Sequence, residues 1–105
     1  ASDRTITLPA PVAGATFKFI YAGAAEEAQN LIIVTPGNSN FFLGNVQHLD
    51  TNADNAGIYA NGSSNSKLTL TDFGSMEINI VAKDSTNYYI WGNVVSEDAP
   101  AFADQ

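Results

Sequence analysis

The sequence contains no cysteine. Disulfides, zinc–thiolate sites and thiol catalysis are therefore excluded. A single histidine, His48, leaves no means of building a multi-histidine metal site. Cations are scarce: 4 Lys+Arg stand against 11 Asp+Glu, a formal net charge of -7. Phosphate binding needs clustered cations, so neither nucleic acid nor an anionic membrane surface is expected as a partner. No run approaches the ~20 apolar residues that a membrane helix needs. Ala1-Ser2-Asp3-Arg4 has neither the basic nor the apolar region of a signal peptide. Charged residues make up only 14% of a chain that is 45% hydrophobic. That combination describes a globular core under a sparsely charged surface. A length of 105 residues suits one domain.

What is present is dense, regular punctuation. Turn-forming clusters fall at Pro9 to Gly14, Pro36 to Asn40, Asn52 to Gly57, Asn61 to Ser66, Asp72 to Ser75 and Asp84 to Asn87. Short runs rich in β-branched and aromatic residues lie between them, the pattern of an all-β sandwich or barrel. Thr5 to Leu8 alternates and stops at Pro9. Thr16 to Ala22 puts Phe17, Phe19 and Tyr21 on one face. Leu31 to Val34 does not alternate, so both of its faces are expected to be covered. Phe41 opens a less regular strand toward Leu49, and Ile58 to Ala60 ends at Asn61-Gly62, a hairpin-type dipeptide. Leu68 and Leu70 alternate with Thr69 and Thr71. Met76, Ile78, Ile80 and Ala82 form one face of the clearest strand. Tyr88 to Val95 then carries two apolar rows, Tyr88/Ile90/Val94 and Tyr89/Trp91/Val95. These two strands read as a central hairpin. Gly23 to Gln29 is the one helix candidate, too short to be stable alone and read as a loop or single turn.

The fold class expected is all-β: a single antiparallel β-sandwich or flattened barrel of about eight short strands, with jelly-roll wiring one arrangement open to it. Residues 1–95 form the sandwich, and 96–105 form an extended acidic tail anchored by Phe102.

Few residues suggest chemistry. Asp50-x-Asn52-x-Asp54 places oxygens at alternate loop positions, as calcium ligands are placed. Asn55 stands where the tight turn wants Gly and Asn61 where a bidentate Glu is expected, so a solvated Asx-rich loop is the better reading. His48 has no Ser or Cys in a nucleophile context beside it in sequence. Glycoside hydrolysis needs a carboxylate pair, and Glu77 alone lies in mid-strand. Neither a catalytic residue nor a metal or other cofactor is expected. Tyr88, Tyr89 and Trp91 could stack on a sugar, but a Trp in a central strand reads first as core. Asn61-Gly62-Ser63 matches a glycosylation sequon that the turn already explains.

Two stretches resemble virion structural proteins of tailed bacteriophages. Thr5-Ile6-Thr7-Leu8-Pro9-Ala10-Pro11-Val12-Ala13-Gly14-Ala15-Thr16-Phe17-Lys18-Phe19-Ile20 is similar to a recurrent opening in which an "ITLP" strand precedes "P-x-x-G" and an "FxF" strand. Leu68-Thr69-Leu70, Gly74-Ser75-Met76-Glu77-Ile78 and Asn87-Tyr88-Tyr89-Ile90-Trp91-Gly92-Asn93-Val94 resemble a later hairpin of the same proteins. Tyr88 stands where Trp is common there. The resemblance implies a non-enzymatic virion protein on the outer capsid surface, decorating the shell by bridging capsomers. Its partners would be the major capsid protein and further copies of itself, as a homotrimer. Ala1, Ser2, Asp3, Arg4, Pro100 and Phe102 are the residues expected to make those contacts. Two alternatives share the fold: a phage tail or receptor-binding module, and a carbohydrate-binding β domain. Both recognise glycans: the tail module predicts exposed aromatics in a groove and the carbohydrate-binding domain saccharide affinity without particle association, whereas decoration predicts a flat surface with projecting termini.

Overall fold

Alternation and punctuation give nine strands, β1 (Arg4–Thr7), β2 (Thr16–Tyr21), β3 (Leu31–Val34), β4 (Phe42–Asp50), β5 (Ala56–Asn61), β6 (Lys67–Leu70), β7 (Phe73–Ala82), β8 (Tyr88–Ser96) and β9 (Ala101–Ala103). The computed structural model describes residues 3–23 and 29–105. Most of the helix candidate Gly23 to Gln29 therefore lies outside the described residues, among which no helix occurs. The strands form a four-stranded sheet, β1-β3-β6-β9, and a five-stranded sheet, β2-β7-β8-β4-β5. Both sheets supply side chains to one core, the arrangement of a sandwich.

Met76, Ile78, Ile80 and Ala82 of β7 are buried, as their alternation requires, opposite Ile33, Leu68 and Leu70 from the smaller sheet. The β7–β8 hairpin is central, with β7 bounded by β2 and β8 bounded by β4. Its turn is held by Asp84, whose Oδ1 accepts from the backbone N–H of Thr86 and Asn87, each at 2.8 Å. Ile33 and Val34 are buried and Leu31 and Ile32 half-buried, because β3 runs inside its sheet between β1 and β6.

The wiring departs from an antiparallel jelly roll. β1 runs parallel to β3, and β4 runs parallel to β8. Antiparallel neighbours can be joined by a tight turn, whereas parallel neighbours need a long crossover. Here β1 reaches β3 through β2 of the other sheet, and β4 reaches β8 through β5, β6 and β7, of which β6 belongs to the other sheet. Asn61-Gly62 likewise makes no hairpin: it carries the chain from β5 in one sheet to β6 in the other. Gly62 takes φ +76° there, and Asn61 Oδ1 accepts from the N–H of Ser63 and Ser64 at 2.9 Å.

The segment 96–105, expected as a tail beyond the sandwich, is extended but is woven into it. Ser96 ends β8, Pro100 is buried, and β9 pairs with β6. Phe102 lies opposite Leu68 and packs its ring 6.1 Å from that of Phe42. Gln105 closes the segment: its backbone N–H donates to Ser66 Oγ at 2.9 Å and its Nε2 to Thr35 O at 2.9 Å.

Candidate functional site

Strand β8 positions the site because its two apolar rows cannot both face the core. Tyr88, Ile90 and Val94 turn inward and are buried. The Tyr88 hydroxyl donates to Pro9 O, and burial raises its pKa above the ordinary tyrosine value. The other row is driven outward. Trp91 is 43% exposed and Tyr89 40%, which overturns the reading of Trp91 as core. Their rings lie 5.9 Å apart at 37° and form one apolar shelf.

Strand register extends that shelf across the outer face of the five-stranded sheet. One row reads Lys18, Asn79, Trp91, Asn45, Tyr59 from β2 to β5. The next reads Ile20, Glu77, Asn93, Gln47, Gly57. Tyr59 is the most exposed large hydrophobic side chain described, at 79%. Asn45 Oδ1 accepts from Gln47 Nε2 at 3.1 Å, while the side-chain amides of Asn79 and Asn93 have no partner among the described residues. Lys18 Nζ lies 3.0 Å from Glu77 Oε2, so the face carries one internally cancelled charge pair. A shallow depression of about 570 Å³ runs between Trp91 and these polar groups. Rings supply flat apolar surface, and amides supply both donors and acceptors. Sequence reading missed Tyr59, Asn45, Gln47, Asn79 and Asn93. The available signal was Asn45 and Gln47 at alternate positions of β4, with a single Asn in β7 and a single Asn in β8.

Gly92 lets β8 run this close to β7. Its φ is +152°, and a Cβ there would meet Glu77 O at 2.0 Å. Only glycine fits.

His48 and Ser96 meet inside the domain, with Asp50 beside them. Ser96 Oγ is 3.0 Å from His48 Nε2, and His48 Nδ1 is 4.0 Å from Asp50 Oδ2. The residue types are those of a nucleophile triad, but the protons are committed elsewhere. The Ser96 hydroxyl donates to Asp98 O at 2.6 Å, and His48 Nε2 lies 3.0 Å from Ser96 O. Both residues are buried. The cluster ties β4 to the end of β8.

The Asp50 loop uses its oxygens on its own backbone. Asp50 Oδ1 accepts from the N–H of Asn52 at 2.7 Å and of Ala53 at 3.0 Å. Among the described residues no group of three or more His, Cys, Asp or Glu side chains could hold a metal. The sequon Asn61 directs its amide into its own turn, donating to Ser64 Oγ at 2.7 Å.

The residues expected to contact a capsid are not brought together. Ala1 and Ser2 lie outside the described residues. Asp3 and Arg4 are exposed at the β1 edge, where Asp3 Oδ1 accepts from the Asn30 N–H at 3.0 Å. Pro100 and Phe102 belong to the β9 edge of the same sheet, three strand spacings or ~14 Å away. Phe102 is occupied by Phe42 and the core. A larger cleft of about 990 Å³ is lined by β1, β2 and the start of β3, with Phe73 and Met76 from β7. The chain matches no family model, no curated protein and no solved structure.

Proposed function

We propose that this protein binds carbohydrate on the outer face of its five-stranded sheet. The observation that carries this reading is the joint exposure of Tyr89, Trp91 and Tyr59 among side-chain amides on one charge-balanced face. A pyranose has a flat C–H face and a rim of hydroxyls. The C–H face loses water favourably against an aromatic ring. The hydroxyls both donate and accept, and so do Asn79 and Asn93. This role fits a phage adsorption module as well as a carbohydrate-binding β domain of another source.

Titration calorimetry against a panel of neutral, amino and acidic saccharides tests the reading. Trp91 offers 43% of a ring system of ~250 Å², hence ~110 Å² for contact. At ~25 cal/mol/Å² that contact contributes ~2–3 kcal/mol, so Trp91→Ala should weaken binding roughly 50-fold. A Trp91→Ala protein that is folded and binds as well as the parent would overturn it. So would a parent that binds no saccharide at millimolar concentration.

Capsid decoration is the second reading, and a separate observation favours it. Val12 and Ile20, 68% and 63% exposed, are the most exposed aliphatic side chains described. Both lie in the stretch that resembles virion proteins, and exposed aliphatic side chains suit contact with a capsid protein or another copy. Immunogold labelling of intact particles tests it: label over heads supports decoration, and unlabelled particles refute it.

A further inference from the structure

We infer that the ligand of this face is an internal stretch of an extended, neutral, equatorially linked polysaccharide, laid across the strands from Trp91 to Tyr59. The inference rests on the carbohydrate-binding reading above and specifies its substrate class. The two ring platforms share one register row and are separated by β4 alone. Two strand spacings amount to ~10 Å. In an extended chain of equatorially linked pyranoses, every second sugar recurs at about that spacing and presents the same face. One sugar then stacks on Trp91, the next crosses Asn45, and the third stacks on Tyr59.

Asn45 fits the middle position. Its Oδ1 already accepts from Gln47 Nε2, which fixes the amide and leaves Nδ2 to donate to a hydroxyl or ring oxygen. Charge selects against anionic glycans. The face's one cation, Lys18, is paired with Glu77, and the whole chain carries a net charge of -7. The depression beside Trp91 is shallow, and Tyr59 stands on the edge strand β5. Such a surface takes the middle of a chain, whereas recognition of a chain end or a single sugar needs an enclosing pocket.

The test is calorimetry with cello-, β-manno-, xylo- and chito-oligosaccharides from disaccharide to hexasaccharide, with starch fragments and polyuronates as contrasts. In one of the four extended series, affinity should climb about tenfold from disaccharide to tetrasaccharide as the second ring engages. Tyr59→Ala should abolish that climb. Tyr59→Phe, which keeps the platform, should retain it. Binding that shows no length dependence, that prefers uronates or starch fragments, or that survives Tyr59→Ala undiminished on the longest oligomer overturns the inference and leaves the carbohydrate reading standing. Absence of binding to every saccharide class refutes the reading beneath it as well.

Discussion

Replacing Phe102 by alanine asks whether β9 is a structural strand or an appendage. Phe102 faces inward from the edge of the four-stranded sheet, opposite Leu68, with its ring 6.1 Å from Phe42 at 57°. A fully buried Phe→Ala change costs ~3–5 kcal/mol, and the half-buried Phe102 scales that to about 2 kcal/mol. The rest of the hold on β9 and the residues after it is mainly polar, including Ser66 N–H to Ala103 O at 2.9 Å and Asn38 Nδ2 to Gln105 O at 3.0 Å. Its ladder with β6 covers only Lys67 to Thr69, and Gln105 adds its bonds to Ser66 and Thr35. Loss of the ring should therefore loosen the whole segment. For a domain of this size, about 2 kcal/mol lowers the melting temperature by roughly 8–16 °C. Urea denaturation followed by circular dichroism gives the free energy directly, with an unchanged m-value showing that the native state stays compact. A free tail would respond as a surface site does, within ~0.5 kcal/mol. A loss that small would refute the packing argument. Phe102→Leu should recover more than half of the stability, because it refills most of the volume.

Two further outcomes follow from the same structure. Gly92→Ala should destabilise the domain by about 3 kcal/mol, since its Cβ meets a backbone oxygen that cannot move without parting β7 from β8; a melting temperature equal to the parent's would contradict this. Stability should fall at both pH extremes for separate reasons. Asp84 is held down to about 2 by the N–H groups of Asn87 and Thr86 and by Lys83, from an ordinary value of 3.8. Its contribution is present above 3.8 and is lost as pH falls toward 2, so Asp84→Asn should melt below the parent at neutral pH and converge with it in acid. Tyr88 is raised above 10.0 by burial, so its contribution is complete below 10.0 and is lost as pH rises through the higher folded value. Melts of Tyr88→Phe should lack that alkaline loss, and a parallel decline in both proteins would contradict the assignment.

The β7–β8 hairpin was legible because Met76, Ile78, Ile80 and Ala82 alternate strictly and Asp84 to Asn87 mark the turn. The burial of β3 was legible from its unbroken apolar run. The site was not, for a physical reason: β8 carries two apolar rows, and period-two alternation alone does not tell which row meets water. Tyr88 decides it, because its hydroxyl finds Pro9 O inside the domain, far away in sequence. Parallel neighbours were equally hidden, since local turn chemistry speaks only of adjacent strands. Phe102 showed as an anchor, but its partner Phe42 lies too distant in the chain for any local pattern to name it. The sequence pairing of Asn61 with Gly62 marked a true turn but not its destination.

The parallel pairs also bear on how the molecule is made. Arg4 must find Leu31, and Phe42 must find Tyr88, before either sheet is continuous. Contacts so remote in the chain slow folding, because loop closure precedes any gain. β8 fills the gap between β7 and β4, and β9 comes last in chain order among the nine strands described. A nascent chain that has not yet reached residues 96–105 has neither the Phe102 contact nor the Ser96 link to His48. Completion of the domain is thereby deferred until residues 96–105 have been made. Until then β6 stands as an open strand edge, and truncation before β9 would expose that edge to other chains.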